Sequence, residues 1–159
     1  MIIGLAAQKG WKLFQLDVKF AFLQGELDEE VFVAQPQGYI VKGKEDQVYK
    51  PHKALYGLKQ TPRAWYNRIE NHFVKENFKK YSSEQTLFTK RNKEGKIIIV
   101  SVYVDDLIYT SDDEKLIAEF KMSMLKEFDM TDIGNMSYFL GSEVKQSEKG
   151  VFISQRQYA

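Results

Sequence analysis

Two adjacent aspartates lie between two strand-forming segments of the chain. Asp105 and Asp106 interrupt the run KIIIVSVYVDDLIYTSD, residues 96–112, in which β-branched and aromatic residues precede the pair and apolar residues resume after it. Two like charges repel at this spacing, so the pair either forms a polar turn or binds something positive. Because aspartate is common in turns, the pair taken alone favours the turn.

A third carboxylate favours the cation instead. Asp17 ends the segment KLFQLD, residues 12–17, whose alternation predicts a β-strand with Leu13, Gln15 and Asp17 on one face. Taken singly, Asp17 could cap the turn that follows. A sheet could also bring all three carboxylates together, where cations would relieve their repulsion, and hard divalent cations such as Mg²⁺ take oxygen ligands of this kind. Phosphoryl transfer is the chemistry that uses two such ions about 3.5–4 Å apart.

A basic and aromatic stretch is the second feature that could bind a ligand. No Asp or Glu occurs between Gln47 and Ile69. Cationic groups there suit a polyanion, either a triphosphate or a nucleic-acid backbone. A solvated helix face explains Arg68 at least as well as polyanion binding does, and a core position explains Trp65 at least as well. The basic and aromatic side chains of the stretch are Tyr49, Lys50, Lys53, Tyr56, Lys59, Arg63, Trp65, Tyr66 and Arg68.

Composition narrows the class of protein. The 159 residues are 43% hydrophobic and 14% aromatic, enough to bury one sizeable core, so we expect a single globular unit. The net charge of +1 neither favours nor excludes a nucleic-acid partner, because binding surfaces can be local. The absence of cysteine excludes disulfides and thiolate metal sites. No apolar run approaches the ~18 residues of a membrane span, so we expect a soluble chain with no membrane partner.

Strands account for much of the predicted fold. After Asp17, VKFAFLQG predicts a short helical turn ended by Gly25, ELDEE an exposed acidic stretch, and VFVAQPQGY a brief strand. TLFTKRNKEGKIIIVSVYV predicts two strands joined at NKEG, and LIYT returns as a partner strand. This places the aspartate pair at a hairpin tip. YFLGSEVKQSEKGVFISQ predicts two further short strands around SEKG.

Two helices complete the predicted α+β fold, in which they cover one face of an antiparallel sheet. The first has Thr61 as its N-cap and Pro62 in its first position, and it runs to about Phe78. Ser111 and Glu114 form a capping box that begins the second. The apolar stripes are Trp65, Ile69, Phe73 and Val74 for the first helix and Leu116, Ile117, Phe120, Met124 and Phe128 for the second.

Four blocks of the sequence carry a resemblance to a known family. They occur in the family's order and span essentially the whole chain, which makes the match far more specific than the YVDD tetrapeptide alone. On these blocks the chain resembles the reverse transcriptases of copia-type LTR retrotransposons. The blocks are LDVKFAFLQGELDEEVFVAQPQGY (16–39), ALYGLKQTPRAWYNR (54–68), VSVYVDDLIYTS (100–111) and YFLGSEVKQSEKGVFISQRQY (138–158).

The resemblance implies a polymerase palm-like sheet with partial fingers and no complete thumb. It also implies two Mg²⁺ or Mn²⁺ ions held by Asp17, Asp105 and Asp106. Asp17 and Asp105 would bind the ions most directly, while Asp106 would support the site. The implied partners are an RNA or DNA template-primer, deoxynucleoside triphosphates and the rest of a Pol polyprotein.

The resemblance assigns further contacts residue by residue. Substrate-binding positions are Ala21 and Phe22, of which Phe22 would lie under the sugar and exclude a 2′-hydroxyl, together with Tyr56, Gly57, Lys59 and Tyr103. Primer-contacting positions are Leu140 and Gly141 in FLGSEV. Core packing is the alternative for Phe22 and Tyr103. The family usually has a small or polar residue where this chain has Phe20, which affects the expected shape of the triphosphate pocket.

The family normally has a basic fingers segment before LAAQKGW and a thumb-like connection with RNase H after the last block. We therefore expect residues 1–159 alone to bind primer-template weakly and to extend it poorly. The alternative to a polymerase is a catalytically inactive retroelement remnant that folds and binds nucleic acid. A structural protein with an incidental acidic turn would require the four blocks to be coincidence.

Overall fold

A computed structural model describes residues 1–155, which divide into two compact units. The first unit comprises residues 1–19 and the chain from Phe73 onward, and the second comprises residues 20–72. Residues 156–158, the end of the fourth sequence block, lie outside the described part. The helices are α1 (Ile2–Lys9), α2 (Thr61–Lys75) and α3 (Glu114–Glu127). The strands are β1 (Phe14–Val18), β2 (Val33–Ala34), β3 (Val48–Tyr49), β4 (Lys79–Tyr81), β5 (Glu84–Arg91), β6 (Ile97–Tyr103), β7 (Asp106–Ser111), β8 (Met130–Asn135), β9 (Tyr138–Phe139), β10 (Ser142–Ser147) and β11 (Gly150–Ser154).

A six-stranded antiparallel sheet with the order β4-β5-β6-β7-β1-β8 forms the centre of the first unit. The predicted strands β1, β5, β6 and β7 are confirmed, as is the turn at NKEG, where Asn92 and Gly95 hydrogen-bond across the loop. The prediction missed the edge strands β4 and β8. Both are mostly exposed and lack a clear apolar alternation, so the sequence carries little strand signal there.

Aromatic residues pack on one face of this sheet. Tyr109 of β7 lies 4.9 Å from the Phe120 ring of α3 and 5.6 Å from the Phe14 ring of β1, measured between ring centroids. Phe73, in the last turn of α2, packs against Phe88 of β5 at 4.8 Å. The predicted cover by helices is therefore provided by α3 and by the end of α2.

The other face carries a second apolar cluster, which the sequence did not predict. Helix α1 contacts β6, β7 and β11, and the three-stranded sheet β11-β10-β9 adds Val144 to the cluster. Gln146 fixes this small sheet to β1, because its amide accepts from the Leu13 N–H and donates to the Leu13 carbonyl. The cluster consists of Ile2, Ala6, Leu13, Leu87, Ile99, Ile108, Met136 and Val144. The fold is thus mixed α/β, and both faces of the six-stranded sheet are covered.

Both predicted helix starts need correction. The N-cap of α3 is Asp113, whose side chain accepts from the Lys115 N–H, whereas Ser111 donates to the Ile97 carbonyl, so the capping box is wrong. Thr61 is itself the first residue of α2, and its hydroxyl donates to the Leu55 carbonyl. In both cases the hydroxyl bonds to a backbone carbonyl outside the helix, that of Leu55 in the loop before α2 or that of Ile97 at the start of β6. Within residues 1–155, no helix has the length and apolar content that crossing a bilayer requires.

The second unit contains the β2–β3 pair, a 3₁₀ turn at Ala21–Gln24 and most of α2. The predicted helical turn is confirmed, and ELDEE is largely exposed as expected. Trp65 and Ile69 of α2 are buried, whereas Val74, also predicted for the apolar stripe, is 63% exposed. Arg68 donates to the Gln24 carbonyl and thereby connects α2 to the 3₁₀ turn.

Replacing Gly25 with Ala should destabilise the protein by about 1–3 kcal/mol. A Cβ at this position would lie 2.7 Å from the Trp65 nitrogen and 2.9 Å from the Ala64 carbonyl carbon, both backbone atoms of α2. Helix backbone cannot move aside as a flexible side chain can. Urea unfolding of the variant measures the loss. Gly4→Ala is the control, since Gly4 lies in α1 with open space around it and the substitution there should be neutral or stabilising.

Candidate active site

Strand register brings two of the three candidate carboxylates face to face. Asp17 on β1 is the direct partner of Asp106 on β7, and side chains of directly opposed residues project from the same sheet face. Tyr103 of β6 is the partner of Asp106 on its other side, and Thr131 of β8 is the partner of Asp17. The row Tyr103, Asp106, Asp17, Thr131 therefore crosses four neighbouring strands.

The hairpin tip holds Asp105 beside this row. Val104 and Asp105 form the turn between β6 and β7, and Val104 has a φ of 46°, a left-handed conformation uncommon for a β-branched residue. The Asp105 carbonyl accepts a 2.7 Å hydrogen bond from the Val18 N–H. Because Val18 follows Asp17, this bond fixes the Asp105 backbone next to the first carboxylate. The Asp105 side chain is exposed, whereas Asp17 and Asp106 are partly buried.

The pKa of Asp106 is raised above its ordinary value. Burial raises its pKa, a hydrogen bond from Gln15 opposes the rise, and the charges of Asp105 and Asp17 add to it. The Gln15 Nε2 donates to Asp106 Oδ1 at 2.9 Å. Both neighbouring aspartates are therefore close enough to disfavour the ionised form of Asp106. Sequence reasoning placed Gln15 on the same face as Asp17 but gave it no role.

A pocket of about 340 Å³ opens at this end of the sheet. Its walls include Gln15, Asp17 and Asp106 together with residues 137–140. Leu140 and Gly141 form the two-residue turn between β9 and β10, with φ angles of 48° and 76°. Two left-handed residues are what a tight hairpin of this length requires. Of the two proposed primer contacts, Leu140 lines the same pocket as Asp17 and Asp106.

Tyr103 connects the carboxylate row to that turn. Its ring packs edge-to-face against Phe139 of β9, with centroids 5.8 Å apart and planes at 79°. The side chain remains 48% exposed, so it is neither a core residue nor fully free of packing. The structure thus gives Tyr103 a packing partner, and it also leaves an exposed surface next to Asp106.

The three aspartates fit a hard divalent cation by their chemistry, since carboxylate oxygens are the ligands that Mg²⁺ and Mn²⁺ prefer. Within residues 1–155, however, no group of three or more His, Cys, Asp or Glu side chains has an arrangement that could hold a metal ion as it stands. Carboxylates repel each other, and the exposed Asp105 side chain is the one least fixed by neighbours. The aspartates are neighbours at one end of the sheet without forming a closed three-ligand cage.

A second aspartate pair, Asp112 and Asp113, lies at the opposite end of β7 and has a structural role. Asp112 Oδ1 accepts from the Ile97 N–H, and Asp113 caps α3. Both pairs follow strand-forming residues, so the dipeptide alone does not distinguish them. Only the first pair has another strand-borne aspartate as its direct neighbour in the sheet.

The remaining candidate substrate residues lie in the second unit. Ala21 is buried in the 3₁₀ turn, and Phe22 beside it is partly buried, with its ring 5.5 Å from that of Tyr56. Gly57 has a φ of 89°, which favours glycine, and Lys59 is exposed. The structure therefore joins Phe22 and Tyr56 through an aromatic contact that the sequence did not predict. Phe20 is 66% exposed, so it is not a core residue.

The basic stretch is partly structural. Lys50 forms an ion pair with Glu30, Arg68 binds the Gln24 carbonyl, and Trp65 is buried. The core interpretation is confirmed for Trp65, whereas Arg68 is partly buried and bonded to the 3₁₀ turn instead of lying on a solvated helix face. Lys53, Lys59 and Arg63 are exposed.

Asp106→Asn should stabilise the cation-free protein at pH 7. The folded-state pKa of Asp106 lies above its ordinary value, so the folded protein binds this proton more tightly than the unfolded chain. Ionised Asp106 consequently costs stability above the folded pKa, and this cost disappears as the pH falls below the ordinary value. Urea unfolding with a chelator should show a gain for the variant at pH 7 that vanishes in acid.

Asp112→Asn is the control for that measurement, because it removes an exposed charge from the other end of β7. A variant Asp106→Asn that is less stable than the parent at pH 7 would show that the charge is favourable where it lies.

Comparison with known proteins identifies the family of the chain. The family model described as reverse transcriptase (RNA-dependent DNA polymerase) matches residues 1–159. The chain belongs to this reverse transcriptase family. It is 39% identical over 159 residues to the retrovirus-related Pol polyprotein from transposon TNT 1-94 of Nicotiana tabacum, and 39% identical over 158 residues to that from transposon RE1 of Arabidopsis thaliana. A putative transposon Ty5-1 protein of Saccharomyces cerevisiae is 35% identical over 135 residues.

These reverse transcriptase relatives differ in length from the chain. The two plant matches cover 99% of the chain but only 12% and 11% of the respective polyproteins. The yeast match covers 85% of the chain and 44% of that protein. No solved structure gave a significant match. The resemblance read from the four sequence blocks is confirmed, including the similarity to copia-type elements.

Proposed function

We propose that residues 1–159 form the palm and part of the fingers of an RNA-directed DNA polymerase. The enzyme adds deoxynucleotides to the 3′-end of a primer by two-metal phosphoryl transfer. The observation that carries this proposal is the direct pairing of Asp17 with Asp106, next to the Asp105 turn. Membership of the reverse transcriptase family supports it.

In this proposal Asp17, Asp105 and Asp106 hold two divalent cations. When bound, Mg²⁺ or Mn²⁺ would supply the positive charge that activates the primer 3′-hydroxyl and neutralises the triphosphate. Asp17 and Asp105 act as the principal ligands. Asp106, partly buried and bonded to Gln15, holds a negative charge at the base of the site. Asp17 and Asp106 line the pocket and make it acidic, so it takes cationic or cation-bound groups.

The surrounding residues would position the substrates. Tyr103 is partly exposed on the strand next to Asp106, and Leu140 lines the pocket on the primer side, followed in the chain by Gly141. In the second unit, Phe22 and Tyr56 form a connected aromatic pair for the incoming nucleotide. Ala21, Gly57 and Lys59 complete the proposed nucleotide contacts.

The proposed partners are an RNA or DNA template-primer, deoxynucleoside triphosphates and the remainder of a Pol polyprotein. The chain spans about one eighth of the plant polyproteins that it matches. In this proposal, template and primer are held largely by segments supplied by the rest of the polyprotein. Positioning of that kind contributes a large part of the rate of a bimolecular reaction.

Saturating Mn²⁺ or Mg²⁺ should raise the melting temperature of the chain, and Asp105→Asn should remove that rise. A ligand that binds only the folded state at 100 times its Kd adds about 2.7 kcal/mol, or roughly 5–10 °C for a chain of this size. Differential scanning calorimetry measures the shift. Asp112→Asn should behave like the parent. An equal rise in Asp105→Asn would place the ions elsewhere and remove the proposed site.

A further inference from the structure

Gln15 places a polar side chain between the apolar cluster and Asp17 on one face of the sheet. It lies on β1 two residues before Asp17, so the two side chains project from the same face. Its register partners are Ile108 of the apolar cluster and Gly134. The residue is 7% exposed, yet it lines the pocket shared by Asp17 and Asp106.

The nitrogen and the oxygen of the Gln15 amide differ in their hydrogen bonding. Nε2 donates to Asp106 Oδ1, whereas the buried Oε1 has no hydrogen-bond partner within residues 1–155. An unpaired buried carbonyl oxygen costs folding stability. A methionine has the same length and would fill this place without that cost. Fold stability therefore gives no reason for an amide here, and the bond to Asp106 is the contact that the amide provides.

We propose that Gln15 is a positioning residue for Asp106: its amide holds Oδ1 against β1, so that Oδ2 is presented to the pocket shared with Asp17. The inference rests on the proposed function, because the orientation matters only if Asp106 serves a cation. Gln15 is not itself one of the proposed ligands. It affects cation binding by orienting the Asp106 carboxylate.

A neutral donor suits this position better than a charged one. A Lys or Arg here would pair with Asp106 and compete with the cation for its charge. The amide has two N–H donors and no charge, so it can fix one oxygen while the carboxylate keeps its full negative charge. Hydrogen-bond partners of ligating groups act in this way by orienting the ligand.

Cation affinity of Gln15→Met tests the inference without an activity assay. Isothermal titration of the 159-residue chain with Mn²⁺ should show a Kd raised on the order of 10-fold to 100-fold in the variant. Its melting temperature in a chelator should equal or exceed that of the parent, because the unpaired oxygen is gone. Thr110→Val is the matched control. Thr110 is buried on β7 and donates to the Lys12 carbonyl, away from the aspartates, so its loss should leave the Kd unchanged.

The Gln15 side-chain amide signal in a ¹⁵N-labelled chain provides a readout that does not depend on cation binding. Asp106→Ala should shift that signal toward the position of an unbonded amide. An amide signal that does not respond would show that the hydrogen bond is absent and would overturn the inference. A Gln15→Met chain that melts well below the parent would assign Gln15 a structural role and would likewise overturn it.

The outcomes separate this inference from the proposed function. If the parent binds Mn²⁺, Asp105→Asn abolishes binding and Gln15→Met binds as the parent does, the positioning role is wrong while the proposed function stands. If the parent shows no binding that depends on the aspartates, the proposed function fails, and the role of Gln15 toward a cation fails with it. Weaker Mn²⁺ binding by Gln15→Met, together with unchanged Mn²⁺ binding by Thr110→Val, supports the inference.

Discussion

Primer extension should fall roughly 10³-fold or more when Asp105 is replaced by Asn in a polymerase that contains residues 1–159. The substitution keeps the size of the side chain and one acceptor oxygen, but it replaces the other oxygen with an NH₂ donor and removes the charge. Cations that stabilise developing charge at a phosphoryl centre contribute several kcal/mol, and each 1.36 kcal/mol corresponds to about tenfold in rate. The exposed Asp105 side chain has few structural duties, so the loss should be chemical rather than structural.

The measurement places residues 1–159 in the Pol polyprotein of the tobacco relative, in exchange for the segment that they match at 39% identity. Extension of a DNA primer on an RNA template with Mg²⁺ and deoxynucleotides then reports the rate. Asp112→Asn is the matched control, since the amide oxygen of the new side chain can still accept the hydrogen bond from the Ile97 N–H, and this variant should extend as the parent does.

Two results would contradict the assignment. Extension by Asp105→Asn close to that of the parent would exclude this aspartate as a ligand. A parent that forms the folded polymerase, binds primer-template and still fails to extend it would favour the catalytically inactive remnant. Unfolding curves measured on the same preparations distinguish these results from a folding defect.

Alternation in β1, and runs of β-branched and aromatic residues in β5, β6 and β7, were sufficient to predict the central strands. β1, β5, β6 and β7 have one or both faces buried, so their sequences carry the signal that burial requires. The missed elements lack it for physical reasons. β8 is an edge strand with a left-handed Gly134, and α1 is only eight residues long, too short for a clear helical period.

The candidate site was predictable only in part. Strand-end aspartates could be located from the sequence, but the register that opposes Asp17 to Asp106 is set by long-range pairing, which no local pattern records. The resemblance, rather than the spacing, separated the Asp105 pair from the Asp112 pair. Gln15 was missed because a single polar residue in a strand is usually assigned to the solvent face, whereas here it is buried beside Asp106.

Phe73→Ala should lower the free energy of unfolding by about 3–5 kcal/mol, a large part of the 5–15 kcal/mol typical of a native protein. Phe73 is fully buried, and its ring centroid lies 4.8 Å from that of Phe88, 5.2 Å from that of Phe78 and 6.1 Å from that of Phe120. Truncation removes the ring from three aromatic contacts at once and leaves a cavity that these large rings can fill only partly.

Val74→Ala is the matched control for this effect, because Val74 is the next residue of α2 and is 63% exposed. Surface substitutions of this kind usually change stability by less than about 0.5 kcal/mol, and Ala is the better helix former. Both residues were predicted for the apolar stripe, so the pair tests whether the face of α2 seen in the structure is the buried one. Urea unfolding should show a lower midpoint for Phe73→Ala at unchanged slope and almost no change for Val74→Ala. Comparable losses in the two variants would mean that α2 buries Val74 as well, and the observed helix orientation would be wrong.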